Sequence, residues 1–172
     1  NETAKRIVFG KYLNCGQSCT APDYILVHSS VKNCLIDELK KNVIKMYGKN
    51  PENNDEYPRI ISEGHFDRIY SLLDENNIVF GGNYNKEKLY ISPTFMDLDS
   101  SKYSIMDEEI FGPLLPIISF DNINEVKNII QAQEKPLALY IFTKNRNFSD
   151  NLLNNVSFGG ACVNDTMTQY AN

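Results

Sequence analysis

Histidine is scarce in this 172-residue sequence, which has only His28 and His65, and neither lies at finger-like spacing from a cysteine. That counts against a structural zinc site, and no metal ion is expected. The four cysteines, Cys15, Cys19, Cys34 and Cys162, are too irregularly spaced for a disulfide framework, and a chain this long can build its core without staples. No apolar run approaches the roughly 18 residues needed to span a bilayer, so no membrane segment is expected. Lysine and arginine number 17 against 22 aspartates and glutamates, for a formal charge of -5. No basic cluster tracks a phosphate backbone, and no nucleic-acid partner is expected. Neither a Gly-x-Gly-x-x-Gly fingerprint nor a P-loop occurs. The first residues, Asn1-Glu2-Thr3-Ala4-Lys5, are not a signal peptide and lack an initiator Met, which reads as a piece excised from something longer.

What remains is an ordinary globular composition, 42% hydrophobic and 23% charged, with asparagine pairs read as loop filler. Helical spacing places Ile7, Val8 and Tyr12 on one side of Thr3 to Tyr12. It also places Val31, Leu35, Leu39, Val43 and Met46 along a helix closed by Gly48. Further helices are expected over Ser62 to Leu73, from the capping sequence Asn122-Ile123-Asn124-Glu125 through Gln133, and over Asn147 to Leu153. Tyr24 to Val27 and Leu114 to Phe120 are apolar throughout, the pattern of strands covered on both faces. Ile78 to Phe80, Leu137 to Phe142 and Ser157 to Val163 add shorter strands, and Leu89 to Phe95 is extended but broken by Pro93. Strands alternating with helices predict a single α/β domain over residues 1–172. Its architecture is three-layer, a mostly parallel sheet with helices on both faces.

Two stretches carry chemistry. In Asn14-Cys15-Gly16-Gln17-Ser18-Cys19 a helix ends in a small polar turn, and Cys19 stands between neighbours that would let a substrate reach its sulfur. From chemistry alone it is a nucleophile or a plain thiol. Cys15 reads as packing, and Cys34 and Cys162 as small buried hydrophobes. In Asp107-Glu108-Glu109-Ile110-Phe111-Gly112-Pro113 a carboxylate and an aromatic ring precede a buried strand. The run is either a solvated acidic turn or a place where a carboxylate takes bonds from ribose hydroxyls beside a ring for a flat heterocycle.

These stretches resemble the nucleophile loop and the Glu-Ile-Phe-Gly-Pro signature of the aldehyde dehydrogenases, and most closely their class 3 branch for fatty and aromatic aldehydes. Arg59-Ile60-Ile61, His65-Phe66-Asp67-Arg68, Lys135 to Tyr140 and Gly159 to Thr166 extend the likeness along the whole chain. Pro58 stands where class 3 usually has glycine, and Gln169 where a histidine is common. The resemblance implies the catalytic domain of an NAD- or NADP-dependent enzyme that oxidises an aldehyde to a carboxylic acid through a cysteine thiohemiacetal and thioester. It implies Cys19 as nucleophile, with Glu109 on the nicotinamide ribose and Phe111 lining the nicotinamide pocket. Neither histidine serves as base in that family, and His65 is expected to be an exposed helix residue. The Glu-Leu-Gly-Gly-Lys segment with the general base, the asparagine of the oxyanion hole, the pyrophosphate-binding elements and the oligomerisation arm do not occur in these 172 residues. The resemblance further implies a cytoplasmic homodimer at full length, membrane-associated where a C-terminal tail follows. A truncated interaction module without turnover and a cofactor-independent cysteine esterase are the alternatives.

Overall fold

The computed structural model describes residues 2–168. Its elements are α1 (Glu2–Tyr12), β1 (Ile25–His28), α2 (Lys32–Tyr47), α3 (Glu63–Ser71), β2 (Ile78–Phe80), β3 (Tyr84–Asn85), β4 (Tyr90–Ile91), β5 (Thr94–Leu98), β6 (Leu114–Phe120), α4 (Ile123–Gln131), β7 (Ala138–Ile141), α5 (Arg146–Asn155) and β8 (Gly160–Val163).

The main sheet has the order β1-β6-β5-β2, so of the two strands that read as wholly apolar β6 lies in the middle and β1 beside it at the edge. Strand β6 pairs in parallel with β1, Ile25 opposite Ile117, and in parallel with β5, Phe95 opposite Leu115. Five of the seven β6 residues are consecutively buried, from Leu114 to Ile118, as a central strand covered on both faces requires. Strand β2 closes one edge antiparallel to β5, and β7 and β8 make a separate parallel pair. The α/β class with mostly parallel pairing is therefore what the chain adopts. Pro93 does break the extended stretch as expected, leaving β4 to pair with the two-residue β3 while β5 joins the main sheet.

Local capping fixes the helix ends. Ser62 accepts a bond from the His65 N–H at the start of α3, and Asn122 accepts from Asn124 and Glu125 at the start of α4. Glu125 reaches back to the Asp121 N–H at 3.0 Å and to the Asn122 side chain, a variant of the expected capping box that engages the residue before the N-cap. Gly48 ends α2 at φ 81°, its N–H on the Ile44 carbonyl. The face of α2 differs from expectation. Ile36, Leu39, Val43 and Tyr47 are buried, whereas Val31, ahead of the helix, is half exposed. Residues 29–31 form a tight turn before the helix begins, so the buried stripe starts later and runs through Ile36. Cys34 falls off that stripe and is exposed, which corrects its reading as a buried hydrophobe.

A large core unites α1, α2, α3 and the main sheet, while a smaller one lies among α4, α5 and β7. Leu26 packs against both. Between them opens a cleft of about 1250 Å³.

Candidate active site

Helix α1 runs into three consecutive left-handed residues, Asn14 (φ 55°), Cys15 (φ 58°) and Gly16 (φ 74°). Glycine takes that conformation freely and asparagine tolerates it, but in cysteine it is strained, so the loop must be held from outside. The Cys15 thiol, fully buried, donates to the Tyr57 hydroxyl at 3.4 Å, and Tyr57 donates to the Ile91 carbonyl at 3.0 Å. Burial pushes the Cys15 thiol up to about 11, so it is packing and a poor nucleophile, as the sequence suggested.

Gln17 supplies the next restraint. Its side-chain oxygen accepts from the Ile61 N–H at 2.9 Å and its nitrogen donates to the Arg59 carbonyl at 3.0 Å. One amide thereby takes the place of a neighbouring strand for the 59–61 segment. The following turn closes with the Ala21 N–H on the Ser18 carbonyl, and Tyr140 from β7 donates to the Thr20 carbonyl at 2.8 Å. Cys19 sits in this turn, exposed, and lines the cleft.

The second loop is held by α3. Arg68 donates to the Glu108 carboxylate at 3.0 Å, to the Glu109 carbonyl at 3.3 Å and to the Ile110 carbonyl. Three residues earlier on the same helix face, His65 Nε2 lies 2.8 Å from the Phe111 carbonyl. A carbonyl only accepts, so Nε2 carries the proton. His65 is half-buried and clamps this loop, which corrects its reading as an exposed helix residue. His28 is exposed and bonds locally to Ser30. From the other side the Asp23 carboxylate accepts the Ile110 N–H at 3.1 Å.

Cys19 and Glu109 are brought to the lining of one cleft, which Asp23 also lines. Phe111 is not part of that lining. Its backbone is left-handed (φ 47°) and its ring meets His65 edge-on, centroids 5.9 Å apart. Gln169 lies outside the described residues. Partial burial and the neighbouring Asp23 raise the Glu109 carboxyl, while Lys11 and Arg68 pull it back. Asp23 is raised by burial against the same two cations. Among the described residues no side chain hydrogen-bonds the Glu109 carboxylate, which suits it to a ligand carrying paired hydroxyls. Among the same residues no group of three or more His, Cys, Asp or Glu side chains could hold a metal ion. No helix there is long and apolar enough to cross a membrane.

Sequence reasoning missed Lys11, Asp23 and Arg68 as parts of this region. Arg68 alone had a visible signal, its i, i+3 spacing from His65 on a helix whose other face is apolar.

The family model for the aldehyde dehydrogenase family matches residues 1–172. The chain is 45% identical over 171 residues to a 4,4'-diaponeurosporen-aldehyde dehydrogenase of Staphylococcus aureus, covering 98% of this chain and 37% of that protein. It is 43% identical to the aldehyde dehydrogenase family 3 member A2 of Pongo abelii, covering 96% and 34%. Among solved structures, the substrate-bound state of Staphylococcus aureus AldH superposes with a TM-score of 0.97 at 44% identity, over 99% of this chain and 38% of that one. An NADP-dependent glyceraldehyde-3-phosphate dehydrogenase from Bacillus halodurans, complexed with NADP, gives a TM-score of 0.86 at 29% identity, over 96% of this chain and 36% of that one. The chain thus spans little more than a third of the length of the curated relatives it matches.

Proposed function

Because this chain belongs to the aldehyde dehydrogenase family, we propose that it is the catalytic domain of an enzyme oxidising an aldehyde to a carboxylic acid. The observation that carries the reading is the shared cleft, whose lining includes both an exposed cysteine and a carboxylate that no side chain of the described residues hydrogen-bonds. Cys19 is the nucleophile. Its thiolate adds to the aldehyde carbon to give a thiohemiacetal, and the small residues of its turn leave room for that approach. A nicotinamide dinucleotide, NAD or NADP, supplies the hydride acceptor that takes this adduct to the thioester. Water then attacks the thioester carbon, the acid leaves, and the sulfur departs as thiolate.

Glu109 is the residue of this chain that holds the ribose of that cofactor. An ionised carboxylate takes two hydroxyl bonds, and its loop is fixed at three successive carbonyls by Arg68 and His65. Phe111 serves the nicotinamide end through the same anchored backbone. The phosphate-cradling backbone such a dinucleotide requires is not among these residues. In the 43% identical family 3 relative and in the NADP-bound structure the matching part is again about a third of the protein. To the protein that carries this chain we assign an aldehyde substrate, a homodimeric state and a cytoplasmic location, membrane-associated where a C-terminal tail follows.

The deciding experiment is cofactor-dependent aldehyde oxidation by that protein, followed by absorbance of the reduced nicotinamide, together with mass spectrometry of the quenched enzyme. The reading requires an acyl group on the peptide containing Cys19. Turnover with the acyl group on Cys34 or Cys162, or with none, would overturn it.

A further inference from the structure

Lys11 is an oddity that the proposed reaction leaves unused. It lies near the end of α1, where a lysine ordinarily reaches to solvent, yet it is completely buried and its ammonium nitrogen has no hydrogen-bond partner. Burying a lone ammonium is expensive, and such a group persists only when nearby anions offset the cost. The anionic groups facing Lys11 are Asp23 first and then Glu109, with the protonated Cys15 thiol also beside it. They come from the strand-entry segment, the 107–113 loop and the left-handed loop respectively. Glu109 in turn faces Asp23, Lys11 and Arg68.

The two loops meet directly above this point. The Lys11 carbonyl and the Gly112 carbonyl both close on Gly16, and the Asp23 carboxylate bonds the Ile110 N–H. We propose that Lys11 is a positioning residue: its enclosed ammonium is the counter-ion shared by Asp23 and Glu109, and it holds the Glu109 loop against the loop of Cys19. Without that charge two carboxylates face each other across the cleft wall with only Arg68 to offset them. Glu109 then takes up a proton more readily and its loop loses the attraction that draws it toward α1. The functional consequence rests on the proposed role of Glu109, while the electrostatic relationship does not.

The test uses the protein that carries this chain, with glutamate carboxyls labelled for carbon NMR and Glu109 assigned by its Gln variant. In Lys11→Met, which keeps the length and removes the charge, the Glu109 carboxyl should titrate about one pH unit higher. The acid limb of dinucleotide affinity should move up with it. A Glu109 midpoint unchanged in a variant whose circular dichroism is wild-type would overturn the proposal. Should Lys11→Met fail to fold, the wild type decides: ionisation of Lys11 near pH 8 must appear as a second, smaller inflection in the Glu109 signal. Absence of that inflection overturns the proposal as well. If the wild type binds no dinucleotide, the cofactor role of Glu109 falls, and the titrations still decide whether Lys11 is the shared counter-ion.

Discussion

Gly16 presses on the backbone of Gly112, 96 positions further along the chain. A Cβ at Gly16 would lie 2.2 Å from the Gly112 carbonyl oxygen and 3.2 Å from that of Lys11, and Gly16 itself is at φ 74°. A Cβ at Gly112 would lie 2.5 Å from Cδ1 of Ile69 on α3. The cysteine loop therefore lies backbone to backbone on the carboxylate loop, which in turn rests on the Ile69 side chain of α3. Cys19 and Glu109 owe their common cleft to that stack.

Gly16→Ala should accordingly cost roughly 2–5 kcal/mol, the sum of a left-handed alanine and an overpacked backbone contact that no side chain can relieve. Urea unfolding of the variant measures it. A loss below about 0.5 kcal/mol would mean that the two loops are not in contact.

Thiol reactivity should follow the same geometry. Iodoacetamide should modify Cys19 first and Cys34 next, both being exposed, with Cys15 and Cys162 protected by burial. With its thiol pushed up to about 11, only about one Cys15 in a thousand is ionised at pH 8. Peptide mapping after limited labelling reads the order. Early labelling of Cys15 in a folded sample would contradict the burial, and early labelling of Cys34 ahead of Cys19 would weaken the nucleophile assignment.

The frame of this site was legible in the sequence, and its supports were not. An apolar run marked β6 because both faces of a central parallel strand are dry, and a second marked β1 at the edge beside it. The Gly-Gln-Ser-Cys turn marked Cys19 because small residues leave a sulfur open. Lys11 gave no such sign, since a lysine in the last turn of a helix is the ordinary complement to its dipole, and only the packed tertiary structure buries it. His65 and Arg68 stand on the polar side of an amphipathic helix, which periodicity assigns to solvent. They are taken up by a loop about 40 residues away that no local pattern announces. Cys34 and Val31 depart from expectation for a local reason: a three-residue turn delays the start of α2 and shifts its buried stripe.

The 172-residue chain by itself should not oxidise aldehydes with NAD or NADP. One carboxylate and one ring cannot replace the backbone amides that cradle a pyrophosphate. The purified chain, mixed with cofactor and a medium-chain aldehyde, should give no rise in reduced nicotinamide above a Cys19→Ser control. Steady turnover that survives repurification would reveal a cofactor site in these residues.

In the protein that carries this chain, Cys19→Ser should lower turnover by several orders of magnitude, because a serine hydroxyl is scarcely ionised near neutral pH. Glu109→Gln should leave Cys19 open to alkylation and weaken cofactor positioning instead. Each charge-assisted bond it loses is worth about 1.5–3 kcal/mol, so hydride transfer or cofactor affinity should fall tenfold or more. Unaltered kinetics at every cofactor concentration would return the Glu109 loop to a structural role.

The buried lysine also gives the fold an unusual pH dependence. Burial lowers Lys11 from 10.5 to about 8, outweighing the attraction of Asp23 and Glu109. Between about pH 8 and 10.5 the unfolded chain thus holds a proton that the folded chain has released. Where the unfolded state binds more protons, stability rises with pH. Lys11 therefore destabilises the fold at neutral pH, and that cost is relieved progressively between about pH 8 and 10.5. One cysteine and three tyrosines act the other way at higher pH. Cys15, raised to about 11, removes stability above about 9. Tyr24, Tyr47 and Tyr90, each raised to about 12, remove it above about 10. The unfolding free energy should thus increase from about pH 8 to 9, stay nearly level to about pH 10 and then decline. Lys11→Met should abolish the rise and be more stable at pH 7 by roughly 2–4 kcal/mol, the linkage value of a shift this size. Urea unfolding of both proteins at pH 7, 8 and 9 makes the comparison. A wild type whose stability falls steadily over that range, or a Lys11→Met variant no more stable at pH 7, would show that the burial cost of the Lys11 ammonium does not exceed the attraction of its neighbouring carboxylates.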